Sequence, residues 1–325
     1  MLRTRFTDLV GCTVPLQLAA MPGVGTPELV AAVAGAGGLG MIGLPQIPAP
    51  AIVSILDGLA ATTRGTFGMN FLIPFLDRAA LEVAAPRARV VEFFYGPPDR
   101  DLVRAARSGG ALVSWQVGSR DEALEAVDAG CDLVVAQGNE AGGHVRGELG
   151  LLRVLSEVLD AVGEVPVVAA GGIGSAREVA GALAAGASAV RVGTRFVAAV
   201  ESGAHPEYVR SLVEARAEDT VLTDVFSVGW DAPHRVLRSA IEAARAFPGE
   251  VVGEAEWGGE KRPVARFSAE LPTRETTGEV RAMALYAGQS VGAVRQVRPA
   301  REIVAELVGG AEELLLEAAP AIGAS

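Results

Sequence analysis

Eight short apolar runs, at residues 16–20, 39–43, 66–73, 90–96, 111–117, 133–137, 167–170 and 189–192, alternate with segments whose apolar residues recur at helical spacing. Those segments cover 26–36, 51–61, 121–129, 151–162, 176–185 and 206–215, with a short one at 77–85 whose ends are indistinct. Continuous apolar strands separated by helices imply a parallel sheet covered on both faces, because each crossover helix must bury one side of it. Eight such units close most naturally into an α/β (β/α)8 TIM barrel, with a doubly wound open sheet as the rival. The punctuation agrees: Thr26, Ser119 and Ser175 stand where helix N-caps are needed, and Gly37, Gly130 and Gly186 stand where helices stop.

The pattern degrades after about residue 217. A helix is predicted over 235–246, a polar stretch rich in Gly and Pro follows to 278, and helical patterns return at 280–287 and 303–318. The expected organisation is a barrel over 1–216, a lid or insertion near the C-terminus over 217–278, and helices over 279–325 packing back on the barrel wall.

Half of the 325 residues are hydrophobic, enough for a sizeable core, and the net charge of −11 with no local Lys/Arg cluster argues against nucleic acid or an anionic membrane as partner. Lys261 is the single lysine. No apolar stretch reaches membrane-spanning length and no signal-like core follows the first residues, so a cytoplasmic protein is expected. Cys12 and Cys131 are too few for a disulfide framework and have no metal-ligand spacing; buried thiols and no metal are expected. They precede strands one and six, away from the strand ends where a barrel does its chemistry, which disfavours thiol catalysis.

In a barrel those strand ends define the site. After the seventh strand stands Ala170-Gly-Gly-Ile-Gly-Ser175, and after the eighth Arg191-Val-Gly-Thr-Arg195. Glycine-rich turns expose backbone N–H groups and Thr194 adds a hydroxyl, so both loops suit a phosphate; alone, the glycines would equally serve tight βα turns. Met21 follows strand one. Asn70, Gln116 and Gln137 are amides that donate and accept at once, suited to the mixed edge of an isoalloxazine pyrimidine ring or, alternatively, to satisfying the core. No Gly-x-Gly-x-x-Gly fingerprint follows a strand with an acidic residue about twenty positions on, which argues against a Rossmann domain.

After the sixth strand the chain reads Gln137-Gly-Asn-Glu-Ala-Gly-Gly-His144. Gly142 and Gly143 allow close approach of backbone to a ligand, and His144, one of three histidines, is the only one just beyond such a strand. His205 and His234 are expected at the surface or at helix starts.

Together with Phe67-Gly-Met-Asn70, Ala169-Ala-Gly-Gly-Ile173, Arg191-Val-Gly-Thr194 and Ala287-Gly-Gln-Ser290, this loop closely resembles the nitronate monooxygenase (2-nitropropane dioxygenase) family of FMN-dependent barrel enzymes, over nearly the whole chain and in the same order. The resemblance implies FMN with its phosphate on Gly171, Gly172, Gly193 and Thr194, its ring near Met21, Asn70, Gln137 and Gly142, and His144 facing substrate. It also implies oxidation of alkyl nitronates by O2 to a carbonyl compound and nitrite. His144 would act either as base toward a nitroalkane α-proton or as hydrogen-bond partner of the nitronate oxygens, the ordinary imidazole pKa of about 6.5 placing both protonation states within reach.

The same superfamily contains NAD(P)H-dependent enoyl-acyl-carrier-protein and quinone reductases with nearly identical loops, and a non-catalytic flavin- or phospholigand-binding barrel is the alternative of another class. Trp230 is expected in the lid, walling the substrate pocket or fixing the lid, with Ser290 at the substrate. Arg146 departs from the family pattern, since two residues rather than one separate His144 from Gly147; it either pairs with an anionic substrate or points to solvent. A homo-oligomer remains open.

Overall fold

Polar residues placed two apart along the strands decide what the molecule carries inside. The computed structural model describes residues 2–257 and 260–322; residue 1, residues 258–259 of the lid stretch and 323–325 of the C-terminal stretch lie outside it. Eight parallel strands, β1 (Leu16–Leu18), β2 (Leu39–Gly43), β3 (Thr66–Leu72), β4 (Val90–Phe94), β5 (Leu112–Val117), β6 (Leu133–Gln137), β7 (Val167–Ala170) and β8 (Ala189–Val192), form a closed barrel. Closure is made by β1 on β8, with Gln17 opposite Arg191, and this pairing excludes the open doubly wound sheet.

Alternate residues of each strand face inward. Leu39 and Met41, Val90, Leu133 and Val135, Val168 and Ala189 make an apolar interior layer, against which Phe6 and Val10 pack from a helix at Arg5–Val10. Two residues further along β4, β6 and β8 stand Glu92, Gln137 and Arg191, and Asn70 on β3 and Gln116 on β5 join them, all at most 7% exposed. The barrel is therefore oily at one end and polar at the other.

The caps sit where expected: Thr26 accepts from Leu29 N–H, Ser119 from Glu122 N–H, and Ser175 with Glu178 forms a capping box. Gly37, Gly130 and Gly186 are left-handed, at φ of +95°, +100° and +106°. Cys12 and Cys131 are buried, and burial pushes their thiols up to about 11 and about 12, leaving no thiolate near neutrality. No described helix is long and apolar enough to cross a membrane.

The later chain differs from its sequence reading in three ways. Helix Pro206–Glu214, expected to complete the eighth unit, instead buries Tyr208 and Leu212 in a second hydrophobic cluster with Val236, Ile241, Val252 and Leu285. Its place on the wall is filled by helix Ala300–Ile322, which packs on helices Pro27–Gly35 and Ala176–Ala184 and contributes Ile303, Leu307 and Ala311 to the barrel cluster. Second, 235–246 divides into a strand, His234–Leu237, and a helix, Arg238–Ala246, and 280–287 holds only a 3-10 turn, Val280–Ala282. Third, the polar stretch contains an antiparallel hairpin, Val251–Trp257 with Glu260–Ala265. Charged alternation such as Gly-Glu-Ala-Glu-Trp257 reads as loop when only composition is weighed, yet a strand with one solvated face needs nothing more apolar.

Candidate active site

A cavity of about 470 Å³ opens at the carboxyl ends of the barrel strands, and every residue singled out in the sequence for cofactor or substrate lines it. Segments after the barrel complete its wall, contributing Trp230, Arg262, Glu270 and Tyr286.

The glycine loops after β7 and β8 form part of that lining. Gly171 and Gly172 have φ of +115° and +70°, a region costly for any side chain, and Gly193 precedes Thr194 without a Cβ between the strand end and Ala19. Thr194 Oγ1 accepts from Gly288 N–H at 3.0 Å, which leaves the hydroxyl proton free to donate. The helix start after β7 is already satisfied, since Gly174 and Ser175 N–H both reach Glu178 at 2.8 Å. An anion there would meet the glycine turn rather than the helix dipole. Ser290, expected at the substrate, packs beside Gly174 on this side of the cavity.

His144 lines the same cavity. Gly143, at φ +77°, turns the chain so that Gly143–His144 pairs as a two-residue strand with His234–Leu237, His144 opposite His234. Gln137 fixes the same loop, its Nε2 donating to His144 O at 3.0 Å and its Oε1 accepting from Arg146 N–H at 3.4 Å. Both ends of that amide are engaged, so Gln137 positions the histidine loop. Gly142 has a further role that Gly143 lacks: a Cβ on it would stand 2.3 Å from Gly288 N, so its bareness admits the 287–288 segment. Glu140 accepts from Leu151 N–H and caps the next helix.

The His144 ring stacks on Trp230 at 3.6 Å between centroids with 22° between planes, and Phe75 and Tyr95 meet Trp230 edge-on at 5.3 and 4.9 Å. Tyr95 holds its place with a φ of +67°, unusual for a bulky residue. His144 Nε2 is buried without a hydrogen-bond partner among the described residues. Burial, helped by His234, lowers the imidazole pKa to about 3. The expectation that both protonation states are within reach near neutrality is thereby corrected: this imidazole is neutral.

Two further expectations change. His234 is fully buried, not at the surface; its Nε2 accepts from Phe226 N–H at 3.2 Å and its Nδ1 faces Ala232 O at 2.8 Å, which folds the loop carrying Trp230. Arg146 does not line the cavity and does not point freely to solvent: its guanidinium pairs with Glu122, which also accepts from Gly118 N–H, so the extra residue fastens the loop to the helix after β5. His205 does cap a helix, accepting from Glu207 N–H. The sequence reading missed Glu92 as a site residue and gave Arg191 no role of its own. Opposite charges in the middle of two apolar runs were the available signal, because a charge is buried only when something pairs with it.

Comparison with known proteins agrees with this geometry. The family profile described as nitronate monooxygenase matches residues 54–310. A nitronate monooxygenase of Pseudomonas aeruginosa is 35% identical over 274 residues, 69% of this chain and 77% of its own. Among solved structures, FabK from Thermotoga maritima is 30% identical and superposes over 98% of this chain and 99% of its own with a TM-score of 0.80. A nitroalkane oxidase from Streptomyces ansochromogenes, also 30% identical, covers 96% and 99% with a TM-score of 0.77. With the barrel, the glycine loops and the buried histidine in place, the chain belongs to the nitronate monooxygenase family of flavin-dependent oxidoreductases.

Proposed function

We propose that the protein oxidises alkyl nitronates with O2 to a carbonyl compound and nitrite, using FMN held across the barrel mouth. The observation that carries the reading is one cavity lined both by a glycine-and-hydroxyl cradle and by His144, whose Nε2 has no partner among the described residues and whose ring stacks on Trp230. The residues fit the cofactor: Gly171, Gly172, Gly193 and Thr194, with Ser290 beside them, hold the phosphate. Met21, Gly142 and Gly143 flank the ring, and Asn70, Gln116 and Arg191 meet its pyrimidine edge. FMN, when bound, supplies the electron transfer and the activation of O2.

The protein's own residues position substrate and exclude water. Since a proton added to His144 is not retained near neutrality, its role is to donate Nε2–H to a nitronate oxygen rather than to act as a base. Trp230 and Phe75 line the cavity beside it, with Tyr95 packed edge-on against Trp230, and they favour a compact aliphatic substrate. In this reading 217–278 serves as the cover of the mouth.

Purified protein is expected to be yellow and to release FMN on denaturation, and kcat/KM for propyl-2-nitronate, followed by nitrite release, should exceed that for NADH or NADPH with a quinone or enoyl acceptor. Stoichiometric FAD, or protein that ignores added FMN, refutes the cofactor assignment. The likeness to FabK over 98% of this chain, beside the loops shared with NAD(P)H-dependent enoyl and quinone reductases in the sequence, supports a second reading, flavin reduction by NAD(P)H. A clear advantage for the nicotinamide route would establish it in place of nitronate oxidation, and flavin binding without turnover under any donor would leave a binding barrel.

A further inference from the structure

The deepest charged group in the barrel is Glu92, in the middle of β4 and fully buried. Its carboxylate accepts from Asn70 Nδ2 on β3 at 2.9 Å, Gln17 Nε2 on β1 at 3.2 Å and Ser114 Oγ on β5 at 3.4 Å, and it pairs with the guanidinium of Arg191 on β8. Arg191 in turn donates to Gln116 Oε1. A carboxylate removed from water costs several kcal/mol unless paired and hydrogen-bonded, and here side chains from four other strands supply that pairing.

The network dictates which way two cavity amides face. An amide beside a carboxylate must present its NH2, so Asn70 keeps Oδ1 as its free acceptor; an amide beside a guanidinium must present oxygen, so Gln116 keeps Nε2 as its free donor. Both residues line the cavity together with Arg191, whose Nε is buried and has no partner among the described residues. The floor thus offers an acceptor, a donor and a cation in a set order, and Glu92 sets it from beneath without lining the cavity itself.

We propose that Glu92 is a positioning residue: it orients Asn70 and, through Arg191, Gln116 toward the flavin's pyrimidine edge, and it balances the charge of Arg191 felt by that edge. The inference rests on the FMN reading above. Glu92→Gln removes the negative charge with little change of shape and puts an amide NH2 among the donors. The reduced, anionic flavin then faces an uncompensated cation, so the midpoint potential of the bound flavin rises, and FMN affinity falls about tenfold as the amides lose their order, equivalent to about 1.4 kcal/mol.

The test is FMN titration of the apoprotein and potentiometric titration of the reconstituted protein, for wild type, Glu92→Gln and the pair Glu92→Gln/Arg191→Gln. The pair leaves no unbalanced charge to unfold the barrel, so its potential should return toward wild type while its FMN affinity stays at least about tenfold weaker. Wild-type affinity and potential in Glu92→Gln, a lowered melting temperature with no change of potential, or wild-type FMN affinity in the pair each overturn the role of Glu92. Wild-type protein that takes up no flavin overturns the FMN reading and this inference with it, whereas wild-type binding with unaltered variants sinks this inference alone.

Discussion

Replacing His144 with alanine is expected to lower nitronate turnover by about 10²-fold or more while FMN stays bound, because the His144 side chain, whose Nε2 has no hydrogen-bond partner among the described residues, does not hold the glycine loops in place. Wild-type kcat/KM should be flat with respect to His144 between about pH 5.5 and 8, since the imidazole is already neutral there. An inflection near pH 6.5 that disappears in the variant would show instead that the histidine titrates. Turnover of preformed nitronate that survives the substitution, with loss only of neutral nitroalkane turnover, would make His144 a base and refute the hydrogen-bonding role.

The same lowered pKa has a stability signature. The unfolded chain takes up the proton at about pH 6.5 and the folded chain only at about 3, so stability is fully present above the higher value and declines as pH falls toward the lower, by at most about 1.4 kcal/mol per pH unit. His234, also lowered by burial, contributes in the same sense. Melting temperatures of wild type and His144→Ala at pH 7 and pH 5 should therefore show the larger acid-induced fall in wild type. Equal falls would mean that His144 protonates without cost.

Gly142→Ala should be the most disruptive small change at the site. The new Cβ would lie 2.3 Å from Gly288 N and 2.7 Å from Ala287 C, both backbone atoms with little room to move, and Gly288 crosses back with equally little space to Gly142 N and Glu140 O. The two segments must separate, breaking the bonds from Gln289 N–H to Glu140 O and from Gly288 N–H to Thr194. Overpacking of this kind costs about 3 kcal/mol, and a fall in melting temperature of about 5 °C with loss of both flavin and turnover is expected. Gly181→Ala has the opposite sign: nothing lies within 4 Å of its new methyl on an exposed helix position, and helix propensity alone should stabilise by about 0.8 kcal/mol. If Gly142→Ala retains FMN and melts like wild type, the crossing of the two glycines is not what holds the loop.

What was legible in the sequence was whatever depends on neighbours a few residues apart. The strand and helix periods, the caps at Thr26, Ser119 and Ser175 and the glycine loops after β7 and β8 are properties of i, i+2 and i+4, and their order in the chain is enough to specify a parallel barrel with its site at the strand ends. The residues lining that cavity were legible for the same reason: Met21, Gly171, Gly172, Gly193 and Thr194 stand one or two positions past an apolar run, Asn70, Gln116 and Gln137 lie within one, and His144 follows the sixth run in a glycine loop.

Their roles were not. Whether an amide is free or engaged depends on partners far away in sequence: Gln137 is held by the loop at His144, while Asn70 and Gln116 are oriented by Glu92 and Arg191, brought together only when β1 closes on β8. The protonation state of His144 follows from burial under Trp230 and beside His234, which the chain reaches some ninety residues later. The chain's local pattern determined the barrel and where its site lies, and barrel closure with the returning C-terminal segment decided charge, orientation and solvent exclusion, because desolvation and hydrogen-bond pairing are set by contacts between strands and not by spacing along one.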